Sequence, residues 1–442
     1  MGGKEKRKKM KLLIRIVLAI FVAAPAMGSP MPALKNGRQR WIVTFKAKVK
    51  QTGREKALAS LGVKAVAHVA TDGDSANEFS AALVDLPAAK TLSKSMSLYG
   101  IGFGDKSEDD IVSIEKDVRV RWIERAQVSF QGLQLPDFGA VMGGFNFPKN
   151  GQFVQNPLAA AMLANRPELT WGISRVHAPA AWDTTEGKGV KVAVIDTGID
   201  MTHPDLQGKV DGGYSAIKKT ENPEDYTDDN GHGTHVSGTI AALRNGKGVV
   251  GVAPKARLYA VKVLDADGSG NLSDVIDGIV WAAKNDMQVA NMSLGAPVSS
   301  DAMQRAVRYA KGRGVIIVAA AGNSGGAVGF PGSYPEVVAV SASDSKDQLA
   351  SFSSRGPEVD FVAPGVDVVS TKMGGGYVSY SGTSMACPHV AGLVALVVSQ
   401  GYVGLSGPDG VLFQLQKAAK PLANLKGEEQ GAGMIDAGKL VR

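Results

Sequence analysis

Cysteine is nearly absent from this 442-residue sequence: Cys387 stands alone, so no intramolecular disulfide can form. If the chain is exported, it must therefore obtain its stability from a large core, from bound ions or from both. We interpret Cys387 as a small buried core residue rather than a redox group, because free cysteine is commonly buried.

An excess of charge of one sign is also missing once the amino terminus is set aside. The formal net charge is +7, but residues 1–15 contain seven Lys/Arg and one acid, a net of +6. Residues 29–166 carry +5 and residues 167–442 carry −4. We therefore expect no nucleic-acid partner. The opposite net charges of residues 29–166 and 167–442 suit two parts of one precursor that dock, although exposed charges are usually solvated and contribute little to such contacts.

Near the amino terminus the chain has only a short apolar run. The run Ile16–Ala26 is eleven residues long, too short for a stable membrane anchor, and it lies between basic residues and a cluster of small ones. We predict a secretory signal peptide over residues 1–28, cleaved after Ala26 or Gly28, and an extracellular or periplasmic protein. Contact with a membrane is expected only through this segment during export; the alternative is an uncleaved tether.

Three motifs place Asp196, His232 and Ser384 in glycine-rich contexts: VAVIDTGID, NGHGTHVSGT and SGTSMACPHVAG, in that order. A serine hydroxyl is a weak nucleophile near neutral pH and needs a base within hydrogen-bond reach. The imidazole in turn needs a carboxylate that fixes its tautomer and stabilises the imidazolium. The order Asp, His, Ser is that of subtilisin. From about Thr170 onward the chain closely resembles the subtilisin family of serine endopeptidases.

Each motif also has an alternative interpretation. Asp-Thr-Gly at 196–198 occurs in aspartic proteases, but these need a second such carboxylate, and the sequence has no second Asp-Thr-Gly or Asp-Ser-Gly. Gly-Asn-Ser-Gly-Gly at 322–326 superficially matches the nucleophile loop of chymotrypsin-like enzymes, with Asn323 in place of the acid. Ser384 alone would more often be a helix cap. By the family resemblance, His232 rather than His235 is the catalytic histidine.

After Trp171 the sequence alternates between strands and helices. Continuous apolar β-branched runs predict strands buried on both faces: GVKVAVID, ARLYAVKVL, Gln288–Met292, GVIIVAAAG and VVAVSAS. Helices are predicted for HVSGTIAALR, LSDVIDGIVWAAKN, SDAMQRAVRYAKGR and MACPHVAGLVALVVSQ. Residues 167–442 are therefore expected to form an α/β domain with a doubly wound, mostly parallel sheet. Its ligands should gather at the carboxyl ends of the strands, with His232 and Ser384 each opening a helix.

Residues 29–130 are predicted to form a small α+β domain. WIVTFKAKV, EFSAALVDLP and VRVRWIERAQVSF are interpreted as strands, and EKALASLGV and IVSIEKDV as helices. This order resembles the ferredoxin-like propeptide of subtilisin-like enzymes, an inhibitor and folding chaperone; an unrelated substrate-binding module is the alternative. Residues 131–166 contain no long periodic segment, and we expect the precursor to be cut in this linker.

The resemblance assigns further site residues. Asn323 matches the asparagine that, with the backbone N–H of Ser384, stabilises the oxyanion. The substrate would bind as an extended strand between two backbone edges, with a pocket behind the second; the matching residues are Gly268, Ser269, Gly270, Ser293, Leu294, Gly295, Ala320, Gly322 and Gly329. Ala296 stands where many relatives carry glycine. We infer a roomy apolar pocket and broad cleavage after large uncharged side chains.

Calcium is the cofactor that the resemblance implies, in a structural role. The matching ligands are the side chains of Asp205 and Asn245 and the carbonyls of Leu243, Lys247 and Val249, an all-oxygen set that suits Ca²⁺. The family's glutamine from the mature amino terminus has no clear counterpart, since the aligned position is near Pro167. The acidic run 224–229 is interpreted as a solvated loop, with a second cation site as the alternative.

These observations together predict a secreted, monomeric, autoprocessed serine endopeptidase. Its partners would be protein and peptide substrates and its own propeptide. Two other functions stay open: a catalytically silent peptide-binding relative, and a membrane-tethered processing enzyme.

Overall fold

The computed structural model describes residues 38–46, 49–60, 63–70, 79–87, 110–123, 127–128, 168–407 and 410–441. The predicted signal peptide 1–28 and linker 131–166 lie outside these residues. Among the described residues, no helix is both long enough and apolar enough to span a bilayer.

The amino-terminal region is an antiparallel sheet with strand order β2-β3-β1-β4. Its elements are β1 (Arg38–Phe45), α1 (Gln51–Ser60), β2 (Ala65–Ala70), β3 (Ala81–Pro87) and β4 (Ile111–Lys116). Two short strands, β5 (Arg119–Arg121) and β6 (Gln127–Val128), follow. Val43, Phe45 and Leu58 belong to its small buried core.

Two predictions for this region are wrong. The segment IVSIEK, predicted as a helix, is strand β4, because its β-branched residues suit a half-buried surface and the edge of β1 offers it a partner. The predicted final strand over 118–130 is instead the two short strands β5 and β6. They pair with strands of the carboxy-terminal domain. Strand β2 was not predicted.

The carboxy-terminal domain contains the predicted doubly wound parallel sheet. Its strands are β7 (Lys191–Asp196), β8 (Val210–Ser215), β9 (Arg257–Lys262), β11 (Val289–Met292), β12 (Ile316–Ala320), β13 (Val338–Ser343) and β14 (Val359–Pro364). Their order is β14-β13-β12-β11-β7-β9-β8, and every neighbouring pair is parallel. The α/β fold class is thus confirmed, with β8 and β14 as additional edge strands.

Helices cover both faces of this sheet. Successive residues of β7 belong to different cores: Val192 and Val194 pack with α4 (His232–Ala241) and α7 (Thr383–Val398), whereas Ala193 and Ile195 pack with α5 (Leu272–Lys284) and α6 (Asp301–Gly312). Burial of both faces explains the continuous apolar runs in the strand sequences. Cys387 is confirmed as a buried residue of the first core.

Shorter elements complete the domain. They are α2 (Trp171–Arg175), α3 (Ala178–Ala181), β10 (Ser269–Asn271), β15 (Val368–Thr371), β16 (Tyr377–Ser381), α8 (Val411–Ala418), β17 (Ala419–Lys420), α9 (Gly427–Gln430) and β18 (Met434–Ile435), with 3₁₀ turns at Pro223–Asp225 and Ala437–Lys439.

Candidate active site

Asp196 and His232 meet at the carboxyl edge of the sheet. Asp196 is the last residue of β7 and His232 the first of α4. The Nδ1 atom of His232 lies 2.8 Å and 3.0 Å from the two carboxylate oxygens of Asp196. Their exposed fractions are only 0% and 5%. Burial lowers the pKa of His232, but the adjacent Asp196 carboxylate outweighs it, so the pKa lies above its ordinary value.

Ser384 lies in the first turn of α7, which packs against α4. Gly382, not Ser384, is the N-cap residue of α7. The Ser384 hydroxyl donates a hydrogen bond to the backbone carbonyl of Ser293, 3.0 Å away. The Ser293 hydroxyl in return donates to the Ser384 carbonyl at 2.9 Å. This reciprocal pair fixes the first turn of α7 against the end of β11.

Asn323 lies in the loop after β12, beside the same helix end. Its amide oxygen accepts hydrogen bonds from the backbone N–H and the hydroxyl of Thr383, each 2.9 Å long. Because the oxygen is held by these donors, the NH2 group forms the opposite end of the amide. A Cβ atom at Gly382, the N-cap residue of α7, would lie 3.6 Å from the NH2 nitrogen, so the donor group lies beside the end of the helix that carries Ser384.

The predicted pocket residues lie on two segments that are joined by a pair of backbone hydrogen bonds. Ala320 ends β12, and Gly322 and Gly329 lie in the loop that follows. Ala296 and Phe330 exchange backbone hydrogen bonds of 2.9 and 2.8 Å. A Cβ atom at Gly329 would come within 3.2 Å of the Ala296 carbonyl oxygen, so this close pairing favours glycine there.

The two predicted substrate-binding edges both bind the amino-terminal region. Strand β5 pairs antiparallel with β10, which contains Ser269 and Gly270. The backbone N–H of Trp122 donates to Gly268, and its indole N–H to Gly270, each at 3.0 Å. On the other edge, the N–H of Gly295 donates to the Trp122 carbonyl at 3.0 Å. The Leu294 side chain is buried in the core beneath.

Two acidic residues of the amino-terminal region bind the first turns of neighbouring helices. Asp117 accepts from the backbone N–H and the hydroxyl of Ser273 in α5, at 3.0 and 2.8 Å. Glu115 accepts from the N–H of Ala302 in α6 at 2.7 Å. Burial raises the pKa of both carboxyl groups. The sequence pattern, interpreted above as a helix, gives no sign of these contacts.

His235 occupies a different environment from His232. It is fully buried, its Nε2 lies 3.0 Å from the Val368 carbonyl, and its ring stacks on Tyr380. Burial lowers its pKa to about 3. A histidine that stays neutral in a packed core fits the structural role predicted for it.

The acidic run 224–229 is only partly the solvated loop that we expected. Glu224 is exposed and Asp225 pairs with Lys218, but Asp228 is buried and points inward. No local sequence pattern indicates this burial, except that a carboxylate just before a helix is a common cap.

The predicted calcium ligands surround Asp205. Its carboxylate accepts from the backbone N–H of Val249 at 3.0 Å and from the hydroxyl of Tyr377 at 2.9 Å, and it lies 3.4 Å from the side-chain nitrogen of Asn245. The N–H of Leu243 donates to the Asp205 carbonyl. These partners are neutral, so the buried carboxylate suits a cation. The predicted set of two side chains and three backbone carbonyls is oxygen-only, as Ca²⁺ prefers; in this structure the Asp205 carboxylate is contacted by N–H and O–H donors.

A second carboxylate contacts this loop. The Glu168 side chain accepts from the backbone N–H of Gly246, and its carbonyl accepts from Val250. Glu168 adjoins Pro167, near which the family's amino-terminal glutamine ligand aligns and for which this sequence has no clear counterpart. Among the described residues, no group of three or more His, Cys, Asp or Glu side chains suits a metal; the predicted set contains one acid.

Comparison with known proteins finds one family model and several similar proteins. A model described as "Subtilase family" matches residues 187–420. Subtilisin E of Bacillus subtilis (strain 168) is 53% identical over 238 residues, 52% of this chain and 61% of that protein. Subtilisin of Bacillus pumilus is 53% identical over 85% of its length, and Subtilisin Savinase of Lederbergia lenta 49% identical over 97%. The chain thus spans about three-fifths of Subtilisin E.

Proposed function

This chain belongs to the subtilase family, and from that premise we propose that it is a secreted serine endopeptidase acting through an acyl-enzyme. The contact of His232 with Asp196 carries the proposal, because a buried carboxylate within 2.8 Å of Nδ1 fixes the tautomer that a general base requires. In the reaction, the Ser384 Oγ attacks the peptide carbonyl carbon while its proton passes to Nε2 of His232.

The remaining steps follow from the same groups. The imidazolium gives its proton to the leaving amine as the C–N bond breaks, and the acyl group stays on Ser384 as an ester. Water, deprotonated by His232, then attacks the ester carbonyl carbon; the ester C–O bond breaks, the acid is released, and the imidazolium returns the proton to the Ser384 Oγ. The NH2 group of Asn323 and the backbone N–H of Ser384 would bind the oxyanion in both steps.

The Ser384 hydroxyl must change partner before it reacts. It has one proton, which it donates to the Ser293 carbonyl. A substrate N–H bound at this edge would compete for the same carbonyl and so release the hydroxyl for His232. Labelling with a fluorophosphonate tests the proposal: the mature protein should react at Ser384, and the Ser384→Ala variant should not. An unlabelled mature protein would indicate a silent peptide-binding relative instead.

We further propose that residues 29–130 inhibit and help to fold the domain 167–442 until the linker 131–166 is cut. In support, the backbone of Trp122 occupies both edges where substrate would bind. Strand β6 pairs with β16 just before Ser384. Amino-terminal sequencing of the mature protein identifies the bond that is cut: a cut within 131–166 would support the proposed linker, and a cut between Ile123 and Gln127, before strand β6, would contradict it. Normal maturation of a Ser384→Ala precursor in a protease-free host would refute self-cleavage.

The proposed substrates are proteins and peptides, which the enzyme would cut broadly after large uncharged residues. We propose that it acts as a monomer outside the cytoplasm. Calcium held by Asp205, Asn245 and the carbonyls of Leu243, Lys247 and Val249 would supply structural stability and no chemistry. Cleavage-site profiling of a peptide library tests the specificity: a preference for charged residues before the cut bond would contradict the apolar pocket.

A further inference from the structure

Asp228 has an unusual number of hydrogen-bond donors around a single buried carboxylate. One oxygen accepts from the hydroxyl of Thr197 at 2.8 Å and from the N–H groups of Asn230 and Gly231 at 3.0 and 2.9 Å. The other accepts from the N–H and the hydroxyl of Thr234, at 2.9 and 2.5 Å. All five donors are neutral, and the side chain is 6% exposed. The carboxylate therefore remains a net negative charge inside the domain.

These bonds join the two segments that carry the base and its carboxylate partner. Thr197 directly follows Asp196, and its hydroxyl donates to Asp228 while accepting from the N–H of Gly233 at 3.0 Å. Gly233 and Thr234 directly follow His232 in α4. Asp228 thus holds the end of β7 and the first turn of α4 in one network, and the negative charge lies at the positive end of the helix.

We infer that Asp228 is a positioning residue for His232: it sets the place of the imidazole relative to Asp196 and adds a second negative charge that favours the imidazolium. The inference rests on the proposed function, in which His232 becomes an imidazolium in each chemical step. Nothing in its sequence surroundings assigns this task to Asp228, which belongs to an acidic run whose other acids are exposed or half-buried.

The charged groups around His232 determine the sign of the effect. Asp196 faces it from β7 and Asp228 from the loop before α4, and each raises its pKa against the opposing effect of burial. His235, on α4, is kept neutral by its low pKa. Lys262, on β9, donates to the Thr197 carbonyl and to Asp229. Removing the charge of Asp228 should therefore lower the pKa of His232.

The test compares Asp228→Asn with Asp225→Asn, the same chemical change in the same acidic run. For Asp228→Asn we expect kcat about 10- to 100-fold lower with KM nearly unchanged, since the base is misplaced. The acidic limb of the kcat/KM profile should move about half a pH unit lower. Asp225→Asn should match the wild type. An Asp228→Asn variant with an unmoved acidic limb, whatever its stability, would overturn the inference.

A second variant separates charge from geometry and guards against misfolding. Asp228→Glu keeps the charge, so its acidic limb should stay near that of the wild type while kcat falls. Equal shifts in Asp228→Glu and Asp228→Asn would contradict the electrostatic part. NMR titration of His232 in Ser384→Ala precursors, with and without Asp228→Asn, needs no activity. It therefore tests the inference even if the wild type proves inactive, a result that would refute only the proposed function.

Discussion

The two described regions of this chain maintain their structure by different means. The domain of residues 168–441 packs a seven-stranded sheet between two hydrophobic clusters. The amino-terminal sheet has four strands and one small cluster of its own, and its Ile42, Phe79, Ala81 and Leu83 are buried in the second cluster of the larger domain. Its carboxyl end compensates with directed polar contacts to the larger domain, through Asp117, Glu115 and Trp122. A small core contributes little stability, so we expect the amino-terminal region to depend on docking and the larger domain to depend on its own packing.

The largest expected effect comes from a change that removes the chemistry and leaves the packing of both regions intact. Ser384→Ala should lower turnover by about 10⁶-fold, the loss found in subtilisin when its nucleophile is removed, and should leave the precursor uncut with both regions docked. Active-site labelling and an intact-mass measurement check the two parts. A normally matured Ser384→Ala protein from a protease-free host would show that Ser384 does not cut the precursor.

Asp196→Asn should lower kcat by about 10⁴-fold, as the corresponding change does in serine proteases. The base must be neutral, so wild-type activity should fall as pH drops through a value above about 6.5, the ordinary histidine pKa. Without the Asp196 carboxylate, only Asp228 opposes the effect of burial on the pKa of His232, so the residual activity should persist to lower pH. A pH–rate profile with an unmoved acidic limb would contradict this assignment.

Chelation tests whether the larger domain relies on packing alone. A cation that binds only the folded state at a hundredfold excess over Kd adds about 2.7 kcal/mol to the free energy of unfolding. A chelator should therefore lower the melting temperature, and Asp205→Ala should reproduce most of the loss. Initial rates on a small peptide at low temperature should change little. Equal melting temperatures with and without chelator would remove calcium from this account.

The smallest effect concerns docking. In the isolated fragment 29–130, Asp117→Ala and Glu115→Ala each remove a helix-capping bond of about 1 kcal/mol, so the pair should weaken inhibition of the mature enzyme roughly 30-fold. Asp85→Ala, which removes an ion pair to Arg40 within the amino-terminal sheet, is the matched control. Titration of peptide hydrolysis with each fragment measures the inhibition constants. An unaffected double variant would show that β5, Trp122 and the apolar contacts of the amino-terminal sheet hold the region without these two carboxylates.

The parallel sheet was predictable because strands buried on both faces have continuous apolar sequences, as in β7 and β12. Strand β8 was missed because VDGGYS contains two glycines and an aspartate, which are typical of turns. The periodicity of IVSIEK fits a helix and a strand equally well. Its pairing with β1, which is distant in sequence, determines that it forms a strand. The candidate triad followed from motif chemistry, whereas the burial of Asp228 depends on donors from Thr197 and Thr234 that no local pattern reveals.

The alternation of β7 between two cores has a consequence for self-digestion. A protease at working concentration is its own most abundant substrate, and a bond can be cut only when its segment leaves the fold. Detaching β7 would open both hydrophobic clusters at once, so we expect Asp196 to be among the last residues released by local opening. Loops with few apolar contacts, such as 243–249, open at far lower cost. Self-inactivation should therefore begin by nicking the surface, while the centre that performs the cutting remains intact.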